Sequence, residues 1–212
     1  MRLLLIRHAQ STYNAVGRIQ GWSDPSLSEL GRMQAFALAQ RLREEYDIAA
    51  LYSSTLSRAH ETAQVIAHAL GLTITLDERL KERHIGIITG LYLTEVEEQY
   101  PEIVQRWQHD PCHVAIPGEE DTDVFYQRVI SAMDEIVARH GEDDTVAVVA
   151  HGGSLGAYLA GLLGLDFHKR QPWIFDNASL SIVILGGARP RIALLNDTCH
   201  LKMLVTEYNA SR

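Results

Sequence analysis

The run Leu3-Leu4-Leu5-Ile6 ends abruptly in Arg7-His8-Ala9-Gln10-Ser11-Thr12-Tyr13-Asn14. Four apolar residues bounded by polar ones read as a strand buried on both faces, the kind found in parallel sheets. Open sheets of that kind bind ligands in the crevice beyond the carboxyl ends of their strands. Arg7 and His8 therefore fall at an expected ligand site. A cation and an imidazole, followed by hydroxyls and the amide of Asn14, suit an anion, and a phosphoryl group is the anion expected. The same layout returns later: the apolar strand Thr145 to Ala150, then His151-Gly152-Gly153-Ser154, then an apolar helix from about Leu155 to Leu163. Its two glycines let backbone N–H groups approach an oxyanion closely. A lone histidine at a strand end is usually structural, but two, each beside anion-friendly backbone, are not independent accidents.

Between these strands the periodicities alternate. Leu30, Met33, Gln34, Ala37, Leu38 and Leu42 recur at helical spacing after Ser26 or Ser28, either of which can cap. Ile48 to Tyr52 reads as a strand. Ser57 then serves as the N-cap of a second helix and puts Arg58 in its first turn. Free backbone N–H groups and the helix dipole favour an anion there, and Arg58 adds a planar fork matched to phosphate oxygens. A surface arginine is the plainer reading of Arg58 alone. Leu72 to Leu76 is a third strand. A helix from about Thr94 to Trp107 is capped by Thr94 with Glu97 and breaks at Pro101. Asp121 or Thr122 starts another, with Val124, Phe125, Val129, Met133, Ile136 and Val137 facing the core and Gly141 near its end. Asn177 to Leu185 and Ile192 to Leu195 flank Gly186-Gly187 as a hairpin.

Four stretches together resemble the histidine phosphatase superfamily, which also holds the cofactor-dependent phosphoglycerate mutases. They are Arg7-His8-Ala9 with Asn14, the Ser54-x-x-x-Arg58-Ala59-x-x-Thr62-Ala63 segment, Leu80-x-Glu82 with Gly86 and Gly90, and His151-Gly152. Ala9 replaces the usual glycine. Val16 to Gly21, Phe175 to Ser179 and Asn196 to Leu201 are similar to the metal-independent phosphoserine phosphatase branch. That branch has a histidine where Ile85 stands here, and His84 is the nearest one. The resemblance implies an α/β fold: a three-layer α/β/α sandwich around a mostly parallel central sheet with one antiparallel edge strand, phosphoglycerate mutase-like. It implies one domain over residues 1–212, with about 90–140 a helical insertion covering the pocket. It also implies catalytic roles for His8 as nucleophile, Glu82 as acid, and Arg7, Arg58 and His151 around the phosphoryl oxygens. A carboxyl beside a phosphate dianion keeps its proton more readily and can protonate the leaving oxygen. Asn14, Gln20, Gly21, Arg83, His84 and Gly152 are the expected substrate-binding residues. His200 reads equally as a contact to the substrate's non-phosphate end or as a packed histidine.

The expected activity is metal-independent hydrolysis of small phosphomonoesters through a phosphohistidine, with no cofactor. A phosphoglycerate mutase is the runner-up, disfavoured by the short span from Glu82 to His151. A non-catalytic phosphometabolite binder is the alternative of another class, disfavoured because a binder gains nothing from a carboxyl beside a dianion. A net charge of −8 over 212 residues argues against nucleic acid or an anionic membrane as partner. It does not exclude a phosphorylated metabolite, because surface charge is screened within about 10 Å while pocket cations are not. His109-Asp110-Pro111-Cys112-His113 lacks the full ligand set of a metal site and reads as a surface loop. Two unpatterned cysteines, Cys112 and Cys199, and an apolar amino-terminal run too short for a signal or a span point to the cytoplasm. A homodimer is compatible with the resemblance, but the residues do not fix the oligomeric state.

Overall fold

The computed structural model describes residues 1–109, 115–169, 171–187, 189–202 and 204. Among the described residues six strands form one sheet: β1 (Arg2–Arg7), β2 (Ala50–Ser53), β3 (Ile74–Leu76), β4 (Thr145–Ala150), β5 (Leu180–Ile184) and β6 (Arg191–Asp197). Their order is β3-β2-β4-β1-β5-β6. The first four are parallel, β5 runs antiparallel to β1, and β6 returns antiparallel to β5 as the expected hairpin. The reversed strand is thus β5, with β6 outside it at the edge.

Alternation along the strands divides the core into two layers, because successive side chains leave opposite faces of a sheet. Leu4 and Ile6 of β1, with Ala147 and Val149 of β4, pack under α2 (Glu29–Glu45) and α3 (Ser57–Leu70). Leu3 and Leu5, with Val146, Val148 and Ala150, pack under α6 (Thr122–Ala138) and α7 (Gly152–Leu162). Every residue of β4 is buried, as a central strand covered on both faces requires. The other three helices are short: α1 (Thr12–Val16), α4 (Leu93–Gln99) and α5 (Pro101–His109). The break before Pro101 falls where the sequence expects it.

Ser28, not Ser26, caps α2 by accepting from Gly31 N–H. Asp121 caps α6 by accepting from the N–H groups of Asp123 and Val124. The Thr94 and Glu97 box does not form; instead, two residues earlier, Glu95 accepts from Tyr92 N–H. Gly141 is not the residue that ends α6, which closes on Arg139 in the right-handed region. Ile88, Val96, Ile103 and Ile116 form a small separate cluster under α4 and α5. Within 90–140, α6 packs with α7 against the sheet, while α4 and α5 carry the small cluster. Among the described residues no helix is long and apolar enough to cross a membrane.

Candidate active site

Register builds the site. Arg7 pairs with Ala150 across β1 and β4, so the residues that follow, His8 and His151, emerge side by side. Their ring centroids lie 5.1 Å apart. Strand β2 ends next to β4 in Ser53-Ser54 and feeds α3, whose second residue is Arg58. The amino-terminal end of β5 abuts His8: Ala178 N–H donates to the His8 carbonyl at 3.1 Å. Three parallel strand ends and the start of an antiparallel one therefore meet at one crevice.

His8 is 3% exposed. Its Nδ1 lies 2.7 Å from the Ala9 carbonyl, which can only accept. Nδ1 therefore carries the proton, and Nε2 keeps its lone pair. Burial, with the nearby charges of Arg58 and Arg7, holds the imidazole well below its ordinary pKa of 6.5. The ring is a neutral base with its free nitrogen aimed at Arg58, whose Nε–H donates to it at 3.2 Å.

Arg58 is 1% exposed yet fully engaged. Nη1 donates to the Ser23 carbonyl at 2.8 Å and Nη2 to the Gly21 carbonyl at 2.9 Å. Burial pushes its guanidinium down to about 10, opposed by the charges of Glu82 and Asp24. It stays charged at neutral pH. Ser57 does not cap α3 as expected; Leu56 holds the N-cap position, and Ser57 is the first helical residue. The cap comes from a distant loop instead: Asp24 accepts from Ser57 N–H at 2.5 Å and from its hydroxyl at 2.8 Å. Thr62, one turn after Arg58, donates to the Arg58 carbonyl at 2.7 Å and accepts from Ala9 N–H at 3.1 Å. It ties the helix to the loop that follows His8.

Arg7 donates through Nη1 to the Phe175 carbonyl. Its Nε is buried without a partner among the described residues, as is Nδ1 of His151. A buried polar atom left unpaired costs about 1–3 kcal/mol, so two of them aimed at one crevice mark a place for an acceptor. Burial lowers the Arg7 pKa, while the charges of Glu82 and Asp176 raise it. Burial likewise holds His151 well below 6.5, aided by Arg58, His8 and Arg7. Its Nε2 lies 2.8 Å from Ser54 Oγ, which also accepts from Leu56 N–H.

Glu82 faces these cations from the other side. Oε2 accepts from Gly153 N–H at 3.0 Å, and Oε1 from Arg83 N–H at 2.9 Å. A Cβ on Gly153 would sit 2.1 Å from Oε1, so the carboxylate can lie on α7 only because this residue is glycine. The glycine expected to offer its amide, Gly152, instead borders the Arg7 side chain. The backbone bearing Glu82 is gripped from α6: Arg128 donates to the carbonyls of Arg79 at 2.6 Å, Lys81 at 2.8 Å and Glu82 at 2.9 Å. Glu120 holds Arg128 in turn at 2.6 Å. Trp22 Nε1 adds a donation to the Glu82 carbonyl at 2.5 Å.

The expected binding residues divide. Asn14 stands at the site, its Oδ1 accepting from Ser11 N–H at 3.2 Å and from Asn177 Nδ2 at 3.2 Å. Gln20 accepts from Ser11 Oγ at 2.7 Å, and Gly21 receives Arg58. Gly21 has φ of +49°, and a Cβ there would fall 2.4 Å from the Ile85 side chain. Arg83 turns away, onto Glu119 at 3.1 Å and the Glu120 carbonyl at 3.0 Å. His84 stands edge-on to Trp22 at 5.2 Å with Nδ1 2.9 Å from the Gly118 carbonyl. His200 takes the packed alternative. Nε2 lies 3.0 Å from the Ala178 carbonyl and Nδ1 lies 3.3 Å from Arg41 Nη1, so both ring nitrogens are used. Burial and the Arg41 charge lower its pKa, which suits a neutral strut.

A cleft of about 460 Å³ opens beside Arg7, Glu82, Gly152 and Gly153. Its far wall is Phe167, Trp173, Ile174 and Phe175, of which the sequence reading singles out only Phe175. No described residue of α4 or α5 lines it. No group of three or more histidine, cysteine or acidic side chains among the described residues is arranged to hold a metal. The 109–113 stretch lies outside the described side chains.

The sequence matches the histidine phosphatase superfamily (branch 1) over residues 3–198, and the chain belongs to that superfamily. It is 42% identical to phosphoserine phosphatase 1 of Hydrogenobacter thermophilus across 95% of this chain and 94% of that protein. Its fold superposes on Bacillus stearothermophilus YhfR with a TM-score of 0.86 at 33% identity, covering 95% of this chain and 99% of that one. It also superposes on a mycobacterial glucosyl-3-phosphoglycerate phosphatase solved with VO3, with a TM-score of 0.80 at 32% identity, covering 92% and 98%.

Proposed function

We propose that this protein hydrolyses small phosphomonoesters through a phosphohistidine on His8. Superfamily membership and the phosphatase relatives support the reaction class. The roles below rest on one observation: the β1 and β4 register brings His8, His151, Arg7 and Arg58 to one crevice, with Glu82 pinned opposite. On binding, a phosphoryl oxygen takes the Arg58 Nε–H that His8 Nε2 holds in the free protein. Arg7 Nε–H and the amide of Asn14 donate to the other oxygens. Ser54 Oγ, accepting from Leu56, gives its hydrogen to His151 Nε2, so His151 Nδ1–H becomes a further donor. The His8 Nε2 lone pair then attacks phosphorus in line. The bond from phosphorus to the alcohol oxygen breaks, and Glu82 gives its proton to that oxygen. Water, losing a proton to the Glu82 carboxylate, attacks the phosphohistidine; the P–N bond breaks and phosphate leaves. Two easier steps replace one hard one, with charge stabilisation by fixed donors as the main contribution.

A mutase of this design must keep water from the phosphohistidine, and the phosphatase reading is better supported by the relatives. The test is rapid quench with a 32P-labelled monoester, followed by mapping of the acid-labile label. Label on His8, and turnover lost in His8→Ala, are expected. Label on another residue, or turnover surviving in His8→Ala, refutes the assignment.

A further inference from the structure

The cleft beside the phosphoryl site has two chemically different ends, and its far end says what alcohol the ester carries. We propose that the substrate's alcohol half is a bulky apolar or aromatic group seated on the wall formed by Phe167, Trp173, Ile174 and Phe175. This rests on the phosphatase reading above and adds the substrate class to it.

Three observations carry it. First, the wall presents carbon. Phe167, Ile174 and Phe175 bring only hydrocarbon side chains to the cleft, and Trp173 adds its ring, whose Nε1–H is the one donor of the wall left without a partner among the described residues. Gln171 also lines the cleft, but its amide hydrogens go to its own loop, to the carbonyls of Asp166 at 2.9 Å and Lys169 at 2.7 Å. Second, the wall is built in advance. Phe167 stacks on Tyr126 at 5.2 Å and tilts against Phe125 at 5.9 Å, and His168 meets Asp123 at 2.9 Å, so the segment is fastened to α6. Third, Ile174 stands 70% exposed at the cleft. An apolar side chain left in water beside a binding site gains by being covered.

The cleft's 460 Å³ falls in the range that encloses ligands of drug size. The described charged side chains lining it are Arg7 and Glu82, both committed to the phosphoryl end. Phosphoserine would bring an ammonium and a carboxylate against this wall, and buried charges need partners. An aryl or large alkyl group needs none.

The test compares 2-naphthylmethyl phosphate with O-phospho-L-serine on the full chain. Both are esters of primary alcohols, so leaving-group basicity does not decide the result. The expected kcat/KM favours the naphthylmethyl ester by about tenfold or more, the scale of discrimination in a hydrophobic pocket. In Ile174→Asp that ratio falls by about tenfold, while inhibition by inorganic phosphate stays within twofold of the parent. Ile174 is exposed, so the fold does not depend on it. Cleavage of both esters with phosphoserine preferred or equal, or an unchanged ratio in Ile174→Asp, overturns this inference and leaves the phosphatase reading standing. Cleavage of neither ester overturns both.

Discussion

Gly153→Ala isolates the acid from the rest of the site. The added Cβ would stand 2.1 Å from Glu82 Oε1 and 3.0 Å from its Cδ. Both atoms end a flexible side chain, so the clash is relieved by moving the carboxylate, not the backbone. That shift is about 1 Å or more, and a displacement of that size at a reacting group costs about 100-fold. It corresponds to about 2.7 kcal/mol of barrier. The fold itself should scarcely notice. Alanine gains up to about 1 kcal/mol over glycine in a helix, which offsets about 1 kcal/mol for weakening the hydrogen bond from Gly153 N–H. The assay uses leaving groups of different basicity. An alkyl phosphate needs a proton on its departing oxygen, so its kcat should fall about 100-fold. With para-nitrophenyl phosphate the departing phenolate is already stable, and kcat should change only a few-fold. The melting temperature should move by no more than a few degrees. Equal losses with both substrates, or an unchanged alkyl rate, would refute the placement of Glu82 as proton donor.

Asn177 holds two site residues at once, donating from Nδ2 to the His8 carbonyl at 3.1 Å and to Asn14 Oδ1 at 3.2 Å. Asn177→Ala should lower kcat about tenfold with little change in KM, since each lost bond is worth about 1 kcal/mol; a lower melting temperature at full kcat would make its role purely structural. Stability should fall as the medium is acidified from neutrality, with the sign set by the buried imidazoles. His8, His151 and His200 all have folded pKa values below the unfolded value of 6.5. Between the two values the unfolded chain binds protons that the folded chain refuses, so their contribution is complete above 6.5 and is lost as pH drops through the folded values. Urea midpoints should be level from pH 8 to 7 and decline toward pH 5; a midpoint that rises or stays flat on acidification contradicts the buried, neutral state of these rings.

Local rules and the superfamily resemblance made the strand ends legible. The apolar runs before His8 and His151 are buried on both faces, and Arg58 does fall in a first turn. What escaped was whatever a distant segment supplies. Ser57 looks like a cap because hydroxyls cap, but Asp24, more than thirty residues earlier, does that work, and no local pattern couples the two. Arg128 is one polar letter on an amphipathic helix; its position three residues after Phe125, over whose ring it lies at 4.9 Å, was the available hint that it turns inward. His200 reads either way from the sequence, since a histidine's partners are tertiary. The 167–175 stretch carries Phe167, Trp173 and Phe175 with no period to assign them to an element.

The two arginines set the character of the whole site. An acidic chain, −8 overall, binds an anion only where a few cations are held out of water. Burial weakens the hold of Arg7 and Arg58 on their protons, but the Glu82 carboxylate counteracts it. Burial first, and then those same positive charges, depress His8 and His151 and so favour neutral rings. In the proposed mechanism one pair of cations draws the phosphate in and helps keep His8 unprotonated to receive it. The dianion balances the two charges when it arrives, so the site is near neutral at the moment of attack. Neutralising either arginine therefore removes phosphate binding and also relaxes the pressure that keeps Nε2 of His8 free. The two losses share one cause, so changes at Arg7, Arg58 and His8 should combine far from additively.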